Sequence, residues 1–149
     1  MINGDVSFWY ADIGGLPKRR APLAGNTTAD ICIVGAGYTG LWAAYYLKRN
    51  DPSLDILVIE KEFAGFGASG RNGGWLAGEF TWNRENYLKN GDKAALLEFE
   101  RALNGSVDEV INVAEREGID ADILRVDLLD VACSSGQLAR LEQRIKTEQ

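Results

Sequence analysis

The chain has 149 residues, and 16 Lys plus Arg against 22 Asp plus Glu give a formal net charge of −6. This acidic balance argues against nucleic acid or an anionic membrane as the main partner. A composition of 46% apolar and 26% charged residues is ordinary for a soluble globular protein. The absence of histidine excludes Ser-His-Asp and Cys-His catalysis and histidine-containing zinc sites within these residues, and we predict no metal site.

The two cysteines, Cys32 and Cys133, are too few and too far apart for a disulfide framework. They favour a reducing, cytoplasmic location. The segment Met1–Asp5 lacks the basic and then apolar build of a signal peptide. The nearly uncharged residues 31–47 contain three glycines and span only 17 positions, so they predict a strand, a turn and a helix rather than a membrane span.

Residues 1–28 form the first predicted region, an N-terminal arm without helical or strand periodicity. It carries the aromatic run Phe8-Trp9-Tyr10 and the basic run Lys18-Arg19-Arg20. We interpret the aromatic residues as an arm that packs on the body of the protein. The basic cluster is interpreted as solvated surface.

Residues 29–80 predict an α/β fold, beginning with a strand–helix–strand unit. The continuous apolar run Ile31–Val34 is typical of a strand buried on both faces. A helix is expected from about Thr39 to Arg49, and Ile56–Ile59 is the second buried strand, which ends at Glu60. A helical crossover imposes parallel pairing on the two strands.

Residues 81–149 are predicted to be largely helical. Apolar residues recur at helical spacing from about Asp92, a candidate N-cap, to Glu117, with Gly118 as a candidate C-cap. Because Asn104-Gly105 interrupts this pattern, one long helix and two shorter helices both remain open.

Two further elements are predicted near the end of the chain. The imperfect alternation of Leu124 to Ala132 indicates a strand. The pattern Ser134-x-x-Gln137 is a capping box that begins a last helix.

The first glycine segment, residues 35–40, reads Gly35-x-Gly37-x-x-Gly40. Its first glycine allows the tight turn, its second lets a pyrophosphate approach the backbone, and its third lets the helix pack closely on the strand. Glu60 follows at a spacing of 20, where its carboxylate can accept hydrogen bonds from the ribose hydroxyls and repel a 2′-phosphate. Together these features predict dinucleotide binding.

The second glycine segment, residues 65–74, contains five glycines in ten positions. A plain NAD domain does not need a second glycine cluster here, whereas a broad flavin ring must lie against bare backbone. Ser69 could bond a phosphate oxygen, and Arg71 and Asn72 could contact the flavin ring or ribityl chain. The segment therefore favours FAD over a flexible surface loop.

The stretch 29–41, then Glu60-Lys61, then 66–74 resembles FAD-dependent oxidoreductases of the D-amino-acid oxidase type, and within them the gamma-glutamylputrescine oxidase and glycine oxidase-like branch. The resemblance implies a Rossmann-like FAD-binding unit over 29–80 and the start of a substrate domain in 81–149. The implied cofactor-binding residues are Gly35, Ala36, Gly37, Tyr38, Thr39, Gly40, Glu60, Lys61, Ala68, Ser69, Arg71, Asn72, Gly73 and Gly74.

By position, the first glycine segment would hold the pyrophosphate, Glu60 the ribose, and Lys61 would lie beside the adenine. The second glycine segment would line the phosphate, ribityl and flavin portions. Some relatives attach the flavin through a histidine in this segment, but the matching position here is Asn72, and Cys32 is expected inside a buried strand. FAD should therefore be bound non-covalently.

The implied activity is oxidation of a small amine or amino acid, with hydride passing from the amine-bearing carbon to flavin N5 and the imine then hydrolysed. No residue is a convincing catalytic base or substrate anchor. Family members are much longer, so we expect the chain to be an N-terminal portion of a larger enzyme; tight FAD binding by a compact, sharply melting 149-residue monomer would contradict this. The alternatives are an NAD-binding dehydrogenase domain and a non-catalytic fragment.

Overall fold

The computed structural model describes residues 6–80, 84–89 and 91–148. The chain divides into two compact units, Met1–Leu76 and Ala77–Gln149, which are described separately. The first five residues of the predicted arm, which include the segment inspected for a signal peptide, lie outside the described residues. Residues 81–83 at the predicted domain boundary lie outside them as well.

The first unit contains a parallel strand–helix–strand arrangement, as the sequence predicts. Strand β1 (Ile31–Val34) pairs with β2 (Ile56–Ile59) in parallel, and Ile31 lies opposite Ile56. Helix α2 (Tyr38–Asn50) connects them, one residue longer at each end than predicted. Two further elements are the short helix α1 (Phe8–Asp12), which the sequence did not predict, and a single 3₁₀ turn at Ala68–Gly70.

The ends of α2 follow from local chemistry. Gly35 turns the chain out of β1 with a φ of +102°, a conformation that favours glycine, and its N–H donates to the Ile59 carbonyl at 2.7 Å. At the other end, Lys48 Nζ donates to the carbonyls of Pro52 and Leu54, both at 2.7 Å. A cation at a helix C-terminus also interacts favourably with the helix dipole.

The prediction that both strands are buried is wrong: the first three residues of β2 are only half-buried, and Ile59 is exposed. The expected burial of β1 on both faces fails as well. Its burial alternates, so Ile31 and Ile33 are half-buried, whereas Cys32 is exposed and Val34 is 85% exposed. Within the described residues, α2 packs on the Ile33 side and no element covers the other face. An uninterrupted apolar run is therefore compatible with a strand buried on both faces. Burial of the second face also requires another element to pack on it, which the run does not predict.

In the second unit, the described residues form the helices α3 (Arg84–Leu88), α4 (Lys93–Arg116) and α5 (Ser135–Glu148). Asp92 caps α4 as predicted, because its carboxylate accepts a hydrogen bond from the Ala95 N–H at 2.8 Å. The helix ends at Arg116, and Gly118 follows with a φ of +64°. The open question about this region is resolved in favour of one continuous helix.

The predicted strand from Leu124 to Ala132 is wrong, since residues 119–133 form neither helix nor strand. A strand needs a neighbour to satisfy its backbone groups, and no described segment pairs with this one. The predicted capping box is confirmed in part: Ser134 Oγ accepts from the Gln137 N–H at 3.3 Å, while Gln137 Oε1 accepts from the Cys133 N–H at 2.7 Å.

Replacing Gly105 by alanine should stabilise the protein. Gly105 lies inside α4, is exposed, and has open space where a Cβ would project. Alanine is favoured over glycine in a helix interior by about 0.5–1 kcal/mol. The free energy of unfolding from urea titration should rise by about that amount; a fall would show that Gly105 has a packing role.

Candidate functional site

The candidate site is built where β1 and β2 end and the two glycine segments begin. The first glycine segment leaves β1 with a positive φ at Gly35 and enters α2 with Gly37 as N-cap. Gly40 is buried, and a Cβ there would overlap the carbonyl oxygen of Gly35 and lie 3.2 Å from Ile33 Cγ2. Close packing of helix on strand, the role predicted for the third glycine, is thus present in the structure.

Glu60 lies against the first glycine segment. Its Oε2 accepts a hydrogen bond from the Ala36 N–H at 2.9 Å, and its Oε1 accepts one from the Glu62 N–H at 3.0 Å. A carboxylate has about four lone-pair sites, so it retains capacity for the two hydroxyls of a ribose. The backbone hydrogen bonds from Ala36 and then Glu62 lower the pKa of Glu60 below its ordinary value.

The lowered pKa of Glu60 predicts an acid-dependent component of stability. Because the pKa of the folded state is depressed, the contribution is present above the ordinary value of about 4.3 and is lost as the pH falls through the lowered one. In the Glu60→Gln variant, the loss of stability between about pH 6 and pH 3 should be smaller than in the unsubstituted protein. Thermal melting across this range measures it.

The matched control is Asp12→Asn, which neutralises an exposed carboxylate of the same unit that makes no hydrogen bond within the described residues. This variant should follow the unsubstituted protein at every pH. Identical pH profiles for Glu60→Gln and the unsubstituted protein would contradict the assignment.

The two glycine segments contact each other directly. Ser69 Oγ accepts a hydrogen bond from the Tyr38 N–H at 2.9 Å, at the first residue of α2. A Cβ at Gly37 would lie only 2.9 Å from Ser69 Oγ. Asn72 Nδ2 lies 3.3 Å from the Tyr38 hydroxyl. The residues that the sequence assigns to one cofactor thus meet at one place, although they are more than 30 positions apart.

A dinucleotide fits the donors at this place. The N–H groups of Gly37 and Thr39 have no acceptor among the residues that the structure describes, as expected for the first turn of a helix. Such groups bind phosphate readily. Ser69 accepts through its oxygen, so its hydroxyl hydrogen is available to a phosphate.

Other predicted contacts are occupied by bonds within the second glycine segment. Arg71 Nε donates to the Phe66 carbonyl at 2.9 Å, and its guanidinium lies 4.7 Å from the Phe66 ring centroid. Asn72 donates to the Ser69 carbonyl at 2.9 Å and accepts from the Gly74 N–H at 2.8 Å. These side chains brace the segment.

The remaining predicted site residues are placed as follows. Lys61 is exposed, and Ala68 begins the 3₁₀ turn. A Cβ at Gly73 would lie 3.5 Å from Trp75 Cδ1, and one at Gly74, whose φ is +81°, would lie 3.1 Å from Trp9 Cζ2. At Gly74 the backbone conformation favours glycine, and a Cβ would fit only if the Trp9 ring moved slightly.

The argument that Cys32 is unsuited to flavin attachment because it is buried is wrong, since the residue is exposed. Non-covalent binding therefore stays a prediction that rests on Asn72, which cannot form the bond made by a histidine. Arg125, the other arginine considered for a substrate, is exposed and forms an ion pair with Asp108.

Within residues 6–80, 84–89 and 91–148, no group of three or more His, Cys, Asp or Glu is arranged to hold a metal ion. In the same part of the chain, no helix has both the length and the apolar character needed to cross a membrane.

Residues 30–149 match the family model of the DAO-type FAD dependent oxidoreductases, so the chain belongs to this family, as the motifs indicated. Gamma-glutamylputrescine oxidoreductase of Escherichia coli (strain K12) is 37% identical over 141 residues, covering 93% of this chain and 32% of the relative. The probable oxidoreductase OrdL of Rhizobium meliloti is 36% identical over 138 residues, covering 91% and 30%.

Sarcosine oxidase subunit beta of Rhodobacter capsulatus is 36% identical over 96 residues, covering 64% of this chain and 19% of the relative. The chain spans about a third of the first two relatives. No solved structure matches it. Since the family is FAD-dependent, the prediction of FAD over NAD is confirmed at the level of the family.

Proposed function

We propose that the two glycine segments bind FAD non-covalently and that this chain supplies part of the FAD-binding domain of an enzyme that oxidises an amine or amino acid. The observation that carries the proposal is the contact between Ser69 and the first turn of α2, which joins the two segments at Tyr38. The first segment holds the pyrophosphate through the N–H groups of Gly37 and Thr39. Glu60 binds the adenosine ribose.

When bound, FAD supplies the acceptor for a hydride from the carbon that bears the amine. The residues of this chain bind and orient the cofactor. The amine class is supported by the names of two relatives, gamma-glutamylputrescine oxidoreductase and sarcosine oxidase subunit beta. Residues 81–149 are proposed to begin the substrate domain, and the cytoplasmic location stays a prediction.

The experiment is to purify the full-length enzyme that carries this chain, together with its Gly37→Ala and Glu60→Gln variants, and to measure bound flavin. The unsubstituted full-length enzyme should be yellow, with absorbance at about 450 nm, and both variants should lose most of the cofactor. A Cβ at Gly37 competes with Ser69 for space, and the amide of glutamine is a poorer ribose acceptor than a carboxylate. A colourless protein that binds NADH, or full flavin content in both variants, would contradict the proposal.

A further inference from the structure

The N-terminal arm is bonded to the second glycine segment through three side-chain donors. They come from residues within four consecutive positions, 7–10, and their acceptors are backbone carbonyls 55 to 63 residues further along the chain. The bonds are Ser7 Oγ to Gly70 O at 2.7 Å, Trp9 Nε1 to Asn72 O at 2.7 Å and Tyr10 OH to Gly65 O at 2.9 Å. One short piece of chain therefore fixes both ends of the segment.

Packing supports these hydrogen bonds. Tyr10 is only 5% exposed, and its ring meets the Phe63 ring edge-on at 5.3 Å between centroids. A Cβ at Gly70 would overlap the Tyr10 hydroxyl, and one at Gly74 would press on the Trp9 ring at 3.1 Å. Two glycines of the second segment are thus matched in shape to the aromatic residues of the arm.

Ser7 bonds the second glycine segment instead of capping its own helix. It occupies the N-cap position of α1, where a serine side chain ordinarily accepts a hydrogen bond from the helix backbone. Here its side chain makes no capping bond and donates to the Gly70 carbonyl instead. The hydroxyl of Ser7 therefore stabilises the contact between the arm and the second glycine segment, and not the N-terminus of α1.

The bond from Trp9 also sets the direction of a backbone donor. The described peptide bonds contain no cis form, and in a trans peptide the C=O and N–H point in opposite directions. Because the Asn72 carbonyl points to Trp9, the Gly73 N–H points away from the arm. It has no acceptor among the described residues and can donate to a ligand.

We propose that Ser7, Trp9 and Tyr10 are positioning residues for FAD, and we call them the arm clamp. The clamp does not touch the reacting atoms. It holds three carbonyls of the second glycine segment, so that the backbone is already in its binding conformation and the Gly73 N–H is presented to the cofactor. Preorganisation of this kind raises affinity by reducing the ordering cost of binding. The inference rests on the proposed function.

The test measures the dissociation constant of FAD from the apoprotein of the full-length enzyme that carries this chain, by quenching of flavin fluorescence. Ser7→Ala and Trp9→Phe each remove one donor, and each should weaken FAD binding about threefold to tenfold, the range expected for one hydrogen bond. Ser7→Thr retains the hydroxyl on extended backbone, so it should restore affinity to within about twofold. Rescue by threonine is a result that loss of general stability would not give.

Phe8→Leu is the matched control in the same helix. Phe8 is 56% exposed, and its ring contacts Trp9 but offers no hydrogen-bond donor to the segment. This variant should bind FAD within about twofold of the unsubstituted protein. All titrations are made well below the melting temperature of each apoprotein, so that folding and binding are measured apart.

The outcomes separate the two proposals. If the unsubstituted protein binds FAD and both Ser7→Ala and Trp9→Phe bind it equally well, the arm clamp is overturned and the proposed function stands. Equal losses in Ser7→Ala and Ser7→Thr, or losses seen only where the apoprotein melts, also overturn the clamp. If the unsubstituted full-length enzyme binds no FAD, both proposals are overturned.

Discussion

Replacing Gly40 by alanine should lower the free energy of unfolding by about 3 kcal/mol. Helix propensity alone predicts the opposite, since alanine is favoured over glycine in a helix interior by about 1 kcal/mol. At this position, however, a Cβ would overlap the carbonyl oxygen of Gly35 and crowd Ile33. Because the overlapping atom belongs to the backbone, α2 would have to move away from β1. The cost of this steric overlap is greater than the gain in helix propensity.

Urea unfolding of Gly40→Ala beside Gly105→Ala tests this directly. Both substitutions add the same methyl group to a helix, but Gly105 has open space around it. The two variants should shift stability in opposite directions. An unchanged or raised stability of Gly40→Ala would show that the close approach of α2 to β1 is not required.

The Gly70→Ala variant should show the second large effect, a loss of stability of about 2–3 kcal/mol together with a loss of FAD binding greater than about tenfold. A Cβ at Gly70 would overlap both the Gly65 carbonyl oxygen and the Tyr10 hydroxyl. These are the two atoms joined by the 2.9 Å hydrogen bond between the arm and the second glycine segment. The added methyl group therefore cannot be accommodated without breaking that bond.

Gly67→Ala is the matched control for this effect. It lies in the same segment, three residues earlier, with a negative φ of −72° and with open space where a Cβ would project. It should leave the melting temperature of the apoprotein nearly unchanged. Equal behaviour of the two variants would mean that the segment is too mobile for its packing against the arm to matter.

Taken together, the site is an arrangement of backbone held by a few side chains. Glu60 bonds the Ala36 N–H, Ser69 bonds the Tyr38 N–H, and Arg71 bonds the Phe66 carbonyl. Bare backbone can approach a planar or anionic group closely, but it needs external bonds to keep its shape because glycine is conformationally free. The side chains around the glycines supply those bonds.

The strand–helix–strand unit and its glycine turn could be predicted from local sequence. Ile31–Val34 and Ile56–Ile59 are apolar runs of strand length, and the breakers around them set the bounds of α2 within a residue. The pairing of strands that are distant in sequence could not be predicted from local sequence. Leu124 to Ala132 has strand-like residues but no neighbouring strand among the described residues, so it forms none.

The sequence by itself indicated the family through the resemblance of its motifs, and with the family it indicated FAD. It also located the two glycine segments, because fixed spacings of glycine and an acidic residue reflect a local turn and its ligand. Only the tertiary structure showed that Ser7, Trp9 and Tyr10 bond the second segment and that Arg71 braces it. An aromatic run such as Phe8-Trp9-Tyr10 indicates packing, but not its target. That target depends on contacts between residues more than 50 positions apart, which no periodicity in the chain encodes.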